Sequence, residues 1–153
     1  MAANAAKTDN TAQTQRVNTV LLYSDDPLVR QTMRLAVGER PAPELTVEFV
    51  EASTYAEVLR LMDGYEIDLL LLDGEAAPAG GIGIARQVRD EFDAPPPVVL
   101  AIARAADKWL AAYAEVDATV RLPLDPFETG QTVAALLRGE VGDLPAGVAP
   151  TAG

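Results

Sequence analysis

Acidic side chains stand directly after two strongly apolar runs of the chain. Val20–Tyr23 is followed by the sequence Ser-Asp-Asp at 24–26, and the run 67–72 is followed by Asp73. Short, continuously apolar runs are typical of strands buried in a parallel sheet. In such sheets, functional groups collect beyond the carboxyl ends of the strands. We therefore expect Asp25 and Asp73 to lie near one another at one edge of a sheet.

Neighbouring carboxylates at such an edge favour metal and phosphoryl chemistry. They repel one another unless a positive group joins them, and Mg²⁺ binds one or two carboxylates together with water. A carboxylate beside Mg²⁺ can also attack a phosphoryl group and form an aspartyl phosphate. Asp25, Asp73 and Glu75 are therefore the candidate metal ligands. The structural alternative is that Asp73 is a loop residue and that Asp26 caps the helix beginning at Pro27, which is the preferred role for Asp26.

The composition excludes several other kinds of site. The chain has no Cys and no His, so disulfides, thiolate nucleophiles, Cys/His zinc sites, catalytic triads and histidine bases are absent. Its net charge of −11, carried almost entirely by residues 17–139, disfavours nucleic acid as a partner. No apolar run approaches the ~20 residues of a membrane helix, and no signal peptide is recognisable. We expect a cytoplasmic protein that does not contact a membrane.

Five strand-helix repeats are predicted between two flexible tails at 1–16 and 140–153. The second strand alternates apolar and polar residues, which is typical of a half-exposed edge strand. The pattern predicts an α/β domain over 17–139: a (βα)5 doubly wound, five-stranded parallel sheet with the flavodoxin-like strand order 2-1-3-4-5. The predicted strands are Val20–Tyr23, 45–50, 67–73, Val98–Ile102 and 118–122, and the helices follow Asp26, Thr54, the loop 74–81, Ala105 and Asp125.

Over essentially all of 17–139, these residues resemble the response-regulator receiver domains of bacterial two-component signalling. The stretch 24–30 is similar to the family's acidic cluster and first-helix start, and Asp73 matches its phosphoacceptor. The other matching positions are Gly81 at the third helix, 97–104 at the fourth strand and Leu122-Pro123 at the Lys-Pro pair.

Departures from the family's pattern indicate an atypical, pseudo-receiver-like member. Ser24 replaces the first acid, so the resemblance carries only Asp25 over as a direct Mg²⁺ ligand and implies a weakened Mg²⁺ site with no other cofactor. Ile102 replaces the switch Ser or Thr, Leu122 replaces the Lys, and Thr119 occupies the aromatic switch position. The resemblance therefore implies that Asp73 is retained as the phosphoacceptor, while the residues that normally respond to phosphorylation are replaced.

Arg104 offers a substitute for the missing cation. It follows Ala103 in the loop after the fourth strand, and we expect it to pair with Glu75 across the site or to balance a phosphoryl group at Asp73. In that case the chain is a phosphorylatable, Mg²⁺-dependent regulator. The alternative is that both side chains point into solvent, where a pair contributes only ~0–1 kcal/mol. Arg121 is less suitable, because adjacent strand positions face opposite sides.

The resemblance implies that the output of a single-domain receiver is a contact with another protein. The partner is a sensor histidine kinase or a second copy, which would dimerise through the fourth helix, fifth strand and fifth helix.

A different class of function is a flavodoxin-like ligand-binding module or enzyme that shares only the fold; with no His and no phosphate loop, we predict that the chain is not an enzyme. The candidate surface residues are Trp109, Tyr113, Thr119, Arg121 and Phe127, although core packing is the alternative for part of the ridge formed by Trp109, Leu110 and Tyr113.

Overall fold

Strands and helices alternate along the part of the chain that the computed structural model describes, residues 16–77, 79–104 and 107–140. The side chains of Lys108, Leu110 and Tyr113 lie outside that description. The elements are β1 (Val17–Tyr23), α1 (Pro27–Val37), β2 (Thr46–Ala52), α2 (Tyr55–Gly64), β3 (Leu69–Asp73), α3 (Gly81–Glu91), β4 (Val98–Ile102), α4 (Lys108–Tyr113), β5 (Ala118–Arg121) and α5 (Pro126–Leu137).

The five strands form one parallel sheet with the order β2-β1-β3-β4-β5. This confirms the predicted fold class and places the alternating strand β2 at an edge. Tyr23 is paired in register with Leu72, so the residues that follow β1 and β3 emerge side by side. Asp73 is paired with Ala101 of β4. The register therefore delivers the ends of three central strands to the same edge.

Helices cover both faces of the sheet, which explains why β4 is apolar at every position and β3 is apolar at every position before Asp73. Alternate side chains, such as those of Leu21 and Leu70, pack with α2, α3 and α4. Their neighbours, such as Leu22 and Leu71, pack with α1 and α5. The two apolar layers hold the strand ends rigidly in place.

Side-chain caps begin three of the helices at the predicted positions. Asp26, Thr54 and Asp125 each accept a hydrogen bond from a backbone N–H of the first helical turn. The carboxylate of Glu57 accepts a bond at 2.8 Å from the backbone N–H of Ser53, the residue before the N-cap, so the contact resembles a capping box displaced by one residue. Hydrogen bonds from the Ser53 hydroxyl and backbone lower the pKa of Glu57.

The observed elements differ from the prediction mainly at their ends. Strand β1 starts three residues earlier than predicted, because Asn18 and Thr19 are buried and paired with β2 although they are polar. Helix α4 was predicted over 106–115 but spans Lys108–Tyr113. Glu115, with a φ of 56°, then turns the chain so that Val116 is buried.

Of the predicted tails, only Arg16 and Glu140 fall within the described residues. In the described part of the chain, no helix has both the length and the apolar character needed to cross a membrane.

A buried hydroxyl on α5 provides a test of core packing. The Thr129 hydroxyl is fully buried and has no hydrogen-bond partner among the described residues. Replacing it by a methyl group in Thr129→Val is expected to raise the free energy of unfolding by about 1 kcal/mol, because an unsatisfied buried polar group is removed. Urea unfolding of the full chain measures this change.

Thr132→Val is the matched control for that substitution. The Thr132 hydroxyl is equally buried on the same helix but donates to the Glu128 carbonyl at 2.9 Å. We expect this variant to be less stable than the wild type. Equal effects of the two substitutions would contradict the assignment of an unpaired Thr129.

Candidate functional site

Ser24 and Asp73 meet at the carboxyl edge of the sheet. Ser24 is fully buried and Asp73 is 4% exposed, whereas Asp25 lies exposed beside them. The Ser24 hydroxyl donates a hydrogen bond to Asp73 Oδ2 at 2.8 Å. Asp73 and its hydrogen-bond partner Ser24 thus lie at the carboxyl ends of adjacent strands, the edge at which the sequence predicts functional groups.

The Ser24 hydroxyl is used in both directions. It donates to Asp73 and accepts a hydrogen bond from the Asp26 backbone N–H at 3.1 Å. A second carboxylate at this position would repel Asp73, whereas a hydroxyl stabilises it through a donated hydrogen bond. With a hydroxyl at position 24, the interaction with Asp73 is favourable without a cation between the two side chains.

The other oxygen of Asp73 begins the loop between β3 and α3. Asp73 Oδ1 accepts a hydrogen bond from the Glu75 backbone N–H at 2.8 Å. Both carboxylate oxygens therefore have a donor. The Glu75 side chain is exposed, and Glu75 contributes this backbone group to the site.

Two residues at the end of β1 hold the same loop farther along. Asp25 Oδ1 accepts a hydrogen bond from the Ala77 backbone N–H at 3.2 Å. The Tyr23 hydroxyl donates to the Ala79 carbonyl. The loop that follows Asp73 is thus attached to β1 at two points.

Tyr23 is a site residue that the sequence analysis missed. Its side chain is 1% exposed. Burial raises the pKa of the Tyr23 phenol, and the negative charges of Asp25 and Asp73 raise it further. The available signal was the tyrosine at the end of an apolar run, because a buried phenol needs a hydrogen-bond partner.

Arg30 is a second missed residue. Its guanidinium donates to the Ser24 carbonyl at 2.6 Å and to Glu51 on β2 at 2.8 Å. Arg34 also pairs with Glu51. Hydrogen bonds from Arg34 and Arg30 lower the pKa of Glu51. This cluster fixes the turn between β1 and α1, but nothing in the sequence pattern indicated that these residues would meet.

The predicted set of three metal ligands is not assembled. In residues 16–77, 79–104 and 107–140, no three acidic side chains are grouped closely enough to hold a metal ion. Asp25 and Asp73 remain carboxylates at one sheet edge, and this donor set fits the one or two carboxylates that Mg²⁺ takes together with water. Glu75 does not join them as a third ligand.

The predicted role of Arg104 is wrong. Arg104 forms an ion pair with Asp107 at 3.2 Å, three residues along its own loop, rather than with Glu75 or Asp73. Its side chain is 78% exposed. Arg104 therefore pairs with the nearby Asp107 instead of with an acid on the other side of the site. Arg121 likewise donates to a carbonyl of the β4–α4 loop, that of Ala103, at 3.3 Å.

The apolar side chains of Ile102 and Leu122 both lie in apolar surroundings. Ile102 is buried in the layer between the sheet and α2, α3 and α4. Leu122 packs against the layer that contains α1 and α5. Neither side chain offers a hydrogen bond or a charge to Asp73.

The predicted partner surface is only partly exposed. Trp109 and Phe127 are 66% and 72% exposed, and Arg121 is also exposed. Thr119, at 1% exposure, does not belong to this surface, because it is an inward position of β5. The Tyr113 and Leu110 side chains lie outside the described residues.

Gly81 sets the distance between α3 and the site. A Cβ atom at this position would lie 2.9 Å from the Asp73 carbonyl oxygen and 2.9 Å from Leu72 Cβ. Such contacts are too short for any side chain. Glycine therefore allows the first turn of α3 to pack directly on the end of β3.

Comparisons with known proteins agree with this geometry. No family model matches the chain. It is 43% identical over 120 residues to an uncharacterized response regulatory protein of Mycobacterium tuberculosis, a match that covers 78% of this chain and 90% of the relative. A two-component response regulator of the LuxR family from Aurantimonas sp. is similar in structure, with 26% identity, a TM-score of 0.69 and coverage of 84% of this chain and 91% of that one. The signal receiver domain of NarL from Mycobacterium tuberculosis, at 22% identity, has a TM-score of 0.66 and coverage of 80% and 98%.

The 2-1-3-4-5 parallel sheet, with a buried aspartate at the end of its central strand, is that of a receiver domain. The chain belongs to the response regulators of two-component signalling.

Ser24 provides a test of how the site handles charge. Ser24→Asp places a second carboxylate against Asp73, so we expect Mg²⁺ affinity to rise by about tenfold, which corresponds to about 1.4 kcal/mol. We also expect the free energy of unfolding without Mg²⁺ to fall, because the two carboxylates repel. Calorimetric titration with MgCl₂ and urea unfolding measure the two effects.

Ser24→Ala is the control, since it removes the donated hydrogen bond without adding charge. It should lose stability but gain no Mg²⁺ affinity. If Ser24→Asp binds Mg²⁺ no more tightly than Ser24→Ala, the proposed effect of the hydroxyl on cation binding is incorrect.

The Arg30–Glu51 cluster predicts a stability change with pH. The folded-state pKa of Glu51 is lowered, so its stabilisation is complete above its unfolded value near 4.5 and is lost as the pH falls through the folded value. Glu51→Gln should therefore lower the free energy of unfolding by about 1 kcal/mol or less at neutral pH, given solvent screening, and by a smaller amount at about pH 3. Urea unfolding at both pH values checks this, and an equal loss at both would contradict it.

Proposed function

We propose that this chain is an atypical single-domain receiver that retains Asp73 as phosphoacceptor but lacks the usual switch. The observation that carries the proposal is the buried Asp73 carboxylate at the end of β3, with a serine instead of an acid as its partner. The 43% identical relative supports a single-domain reading, since the match spans 90% of that protein.

The proposed reaction is transfer of a phosphoryl group to Asp73. A carboxylate oxygen attacks phosphorus, the bond from phosphorus to the donor's leaving group breaks, and the leaving group keeps the electron pair. The product is a mixed anhydride, the aspartyl phosphate. For a sensor histidine kinase the leaving group is a histidine nitrogen, and for acetyl phosphate it is acetate. Asp25 and Asp73 would hold Mg²⁺, which supplies positive charge against the phosphoryl oxygens when bound.

The residues around Asp73 make this transfer slow. Each oxygen of the carboxylate already accepts a hydrogen bond, from Ser24 or from the Glu75 backbone, and these bonds stabilise the carboxylate and make it a weaker nucleophile. Arg104 is paired with Asp107, and Leu122 supplies no charge in place of the family's Lys. The added negative charge of the phosphoryl group is therefore poorly balanced.

The usual readout is also blocked in this proposal. Ile102 lies in the apolar layer and has no group that can hydrogen-bond to a phosphoryl oxygen. Thr119 in β5 is buried, with no aromatic ring to change position. Regulation therefore comes from binding, dimerisation or another ligand rather than from movement of the β4–α4 loop in its usual form.

The proposed output is a contact with a cytoplasmic protein partner, either a sensor histidine kinase or a second copy of the chain. Trp109, Arg121 and Phe127 give the face formed by α4, β5 and α5 exposed aromatic and charged groups. The net charge of −11 does not favour nucleic acid.

Phosphorylation kinetics test the proposal. The full chain is incubated with Mg²⁺ and acetyl phosphate and followed by intact mass, with Asp73→Asn as the background. We expect slow gain of one phosphoryl group at Asp73. The double variant Ile102→Thr/Leu122→Lys should react at least tenfold faster, because one positioned donor to a developing anion contributes about 10²–10³ in rate.

A packing control and two contrary outcomes complete the experiment. Ile102→Val/Leu122→Met alters the same two side chains without adding a donor or a charge, and should react like the wild type. Rapid, stoichiometric modification of the wild type would show a fully phosphorylatable regulator instead of a degenerate one. Visible absorbance from a flavin in the purified protein would favour the flavodoxin-like alternative.

A further inference from the structure

The turn on the β1 side of Asp73 is held by hydrogen bonds that all involve one residue, Ser24. In that turn, the Ser24 backbone N–H donates to the Ala52 carbonyl at 3.2 Å, and the Ser24 carbonyl accepts from Arg30 at 2.6 Å. The Ser24 hydroxyl adds two further hydrogen bonds. Ser24 is thus fixed to β2, α1 and β3 together. A change at Asp73 is therefore taken up on the side of the loop between β3 and α3.

The loop touches the Asp73 carboxylate at its start and β1 farther along. The Gly74 backbone N–H donates to the Ala101 carbonyl of β4 at 2.8 Å, and the Glu75 backbone N–H then donates to Asp73 Oδ1 at 2.8 Å. The later contacts of the loop are Ala77 to the Asp25 carboxylate and Ala79 to the Tyr23 hydroxyl. The loop then ends at Gly80, the N-cap of α3.

Tyr23 is the fixed partner in its hydrogen bond to the β3–α3 loop. Its ring is buried in the same apolar layer as Leu21 and Leu70, so packing fixes where the hydroxyl lies. A buried ring cannot follow a moving loop without leaving a cavity. The bond to Ala79 is therefore made in one loop position and broken in others.

We propose that Tyr23 is a positioning residue for Asp73: its hydroxyl latches the β3–α3 loop in the position that suits the unmodified carboxylate, and a change at that carboxylate releases the loop. This inference rests on the proposed function, since it names how the state of Asp73 leaves the site. In this proposal, modification of Asp73 changes the contacts between β1 and the β3–α3 loop, and the loop passes the change to the start of α3. The buried Ile102 on β4 takes no part.

A double-mutant cycle measured by hydrogen exchange tests the latch on the full chain. Tyr23→Phe removes the hydroxyl and keeps the ring, and Asp73→Ala removes the carboxylate that holds Glu75. Each single variant is expected to speed amide exchange in peptides covering 74–80 by about fivefold, the effect of losing about one net hydrogen bond. The double variant should exchange no more than about twofold faster than either one, because the two contacts hold the same loop.

Two further measurements separate the latch from general loss of stability. Tyr65→Phe removes the hydroxyl of a tyrosine that is 52% exposed, and should leave loop exchange unchanged. Exchange in peptides from β1 and β3 should stay at the wild-type rate in Tyr23→Phe. Faster exchange in those strands as well would overturn the latch by showing global destabilisation.

The remaining outcomes are decisive in different ways. Unchanged loop exchange in Tyr23→Phe overturns the latch, and so does a double variant in which the two effects multiply independently. The phosphodonor experiment is scored by mass and not by exchange. Failure of Asp73 to take up a phosphoryl group therefore overturns the proposed function alone, even where the loop contacts are coupled.

Discussion

The hydrogen bond between Ser24 and Asp73 joins the ends of the two central strands, and the rest of the site is arranged around it. Both side chains are buried, so Asp73 Oδ2 would lack compensation for the water it has lost if this donor were absent. The bond depends on the register that places Tyr23 beside Leu72, and that register depends on the two apolar layers. The neutral Ser24 hydroxyl therefore stabilises the Asp73 carboxylate, whereas two neighbouring acids need a cation between them.

This arrangement changes the electrostatics of the receiver site rather than its shape. The sheet, the acidic turn and the position of the central aspartate are all present. The groups facing the carboxylate are a hydroxyl and a backbone amide, and the replaced positions Ile102 and Leu122 belong to the apolar layers. Asp73 is thus stabilised as an unmodified carboxylate by two hydrogen bonds.

Much of the fold was predictable because short-range signals determine it. Apolar runs gave the strands, and Asp26, Thr54 and Asp125 gave the helix starts, since a cap acts within its own first turn. The rule that functional groups lie beyond the carboxyl ends of the strands located Asp73. Contacts across long separations were not predictable: Tyr23 and Ala79 are 56 positions apart. The expected role of Arg104 failed for a related reason, because Asp107 is close in sequence as well as in space.

The contact between Gly81 and the end of β3 gives helix α3 a preferred direction of travel. The backbone of its first turn already lies against the Asp73 carbonyl, at a distance that excludes even a methyl group. Compression at such a contact is opposed by steep repulsion, whereas separation costs only weak attraction. The end of β3 therefore works as a mechanical stop: α3 can move away from β3, but it cannot move closer.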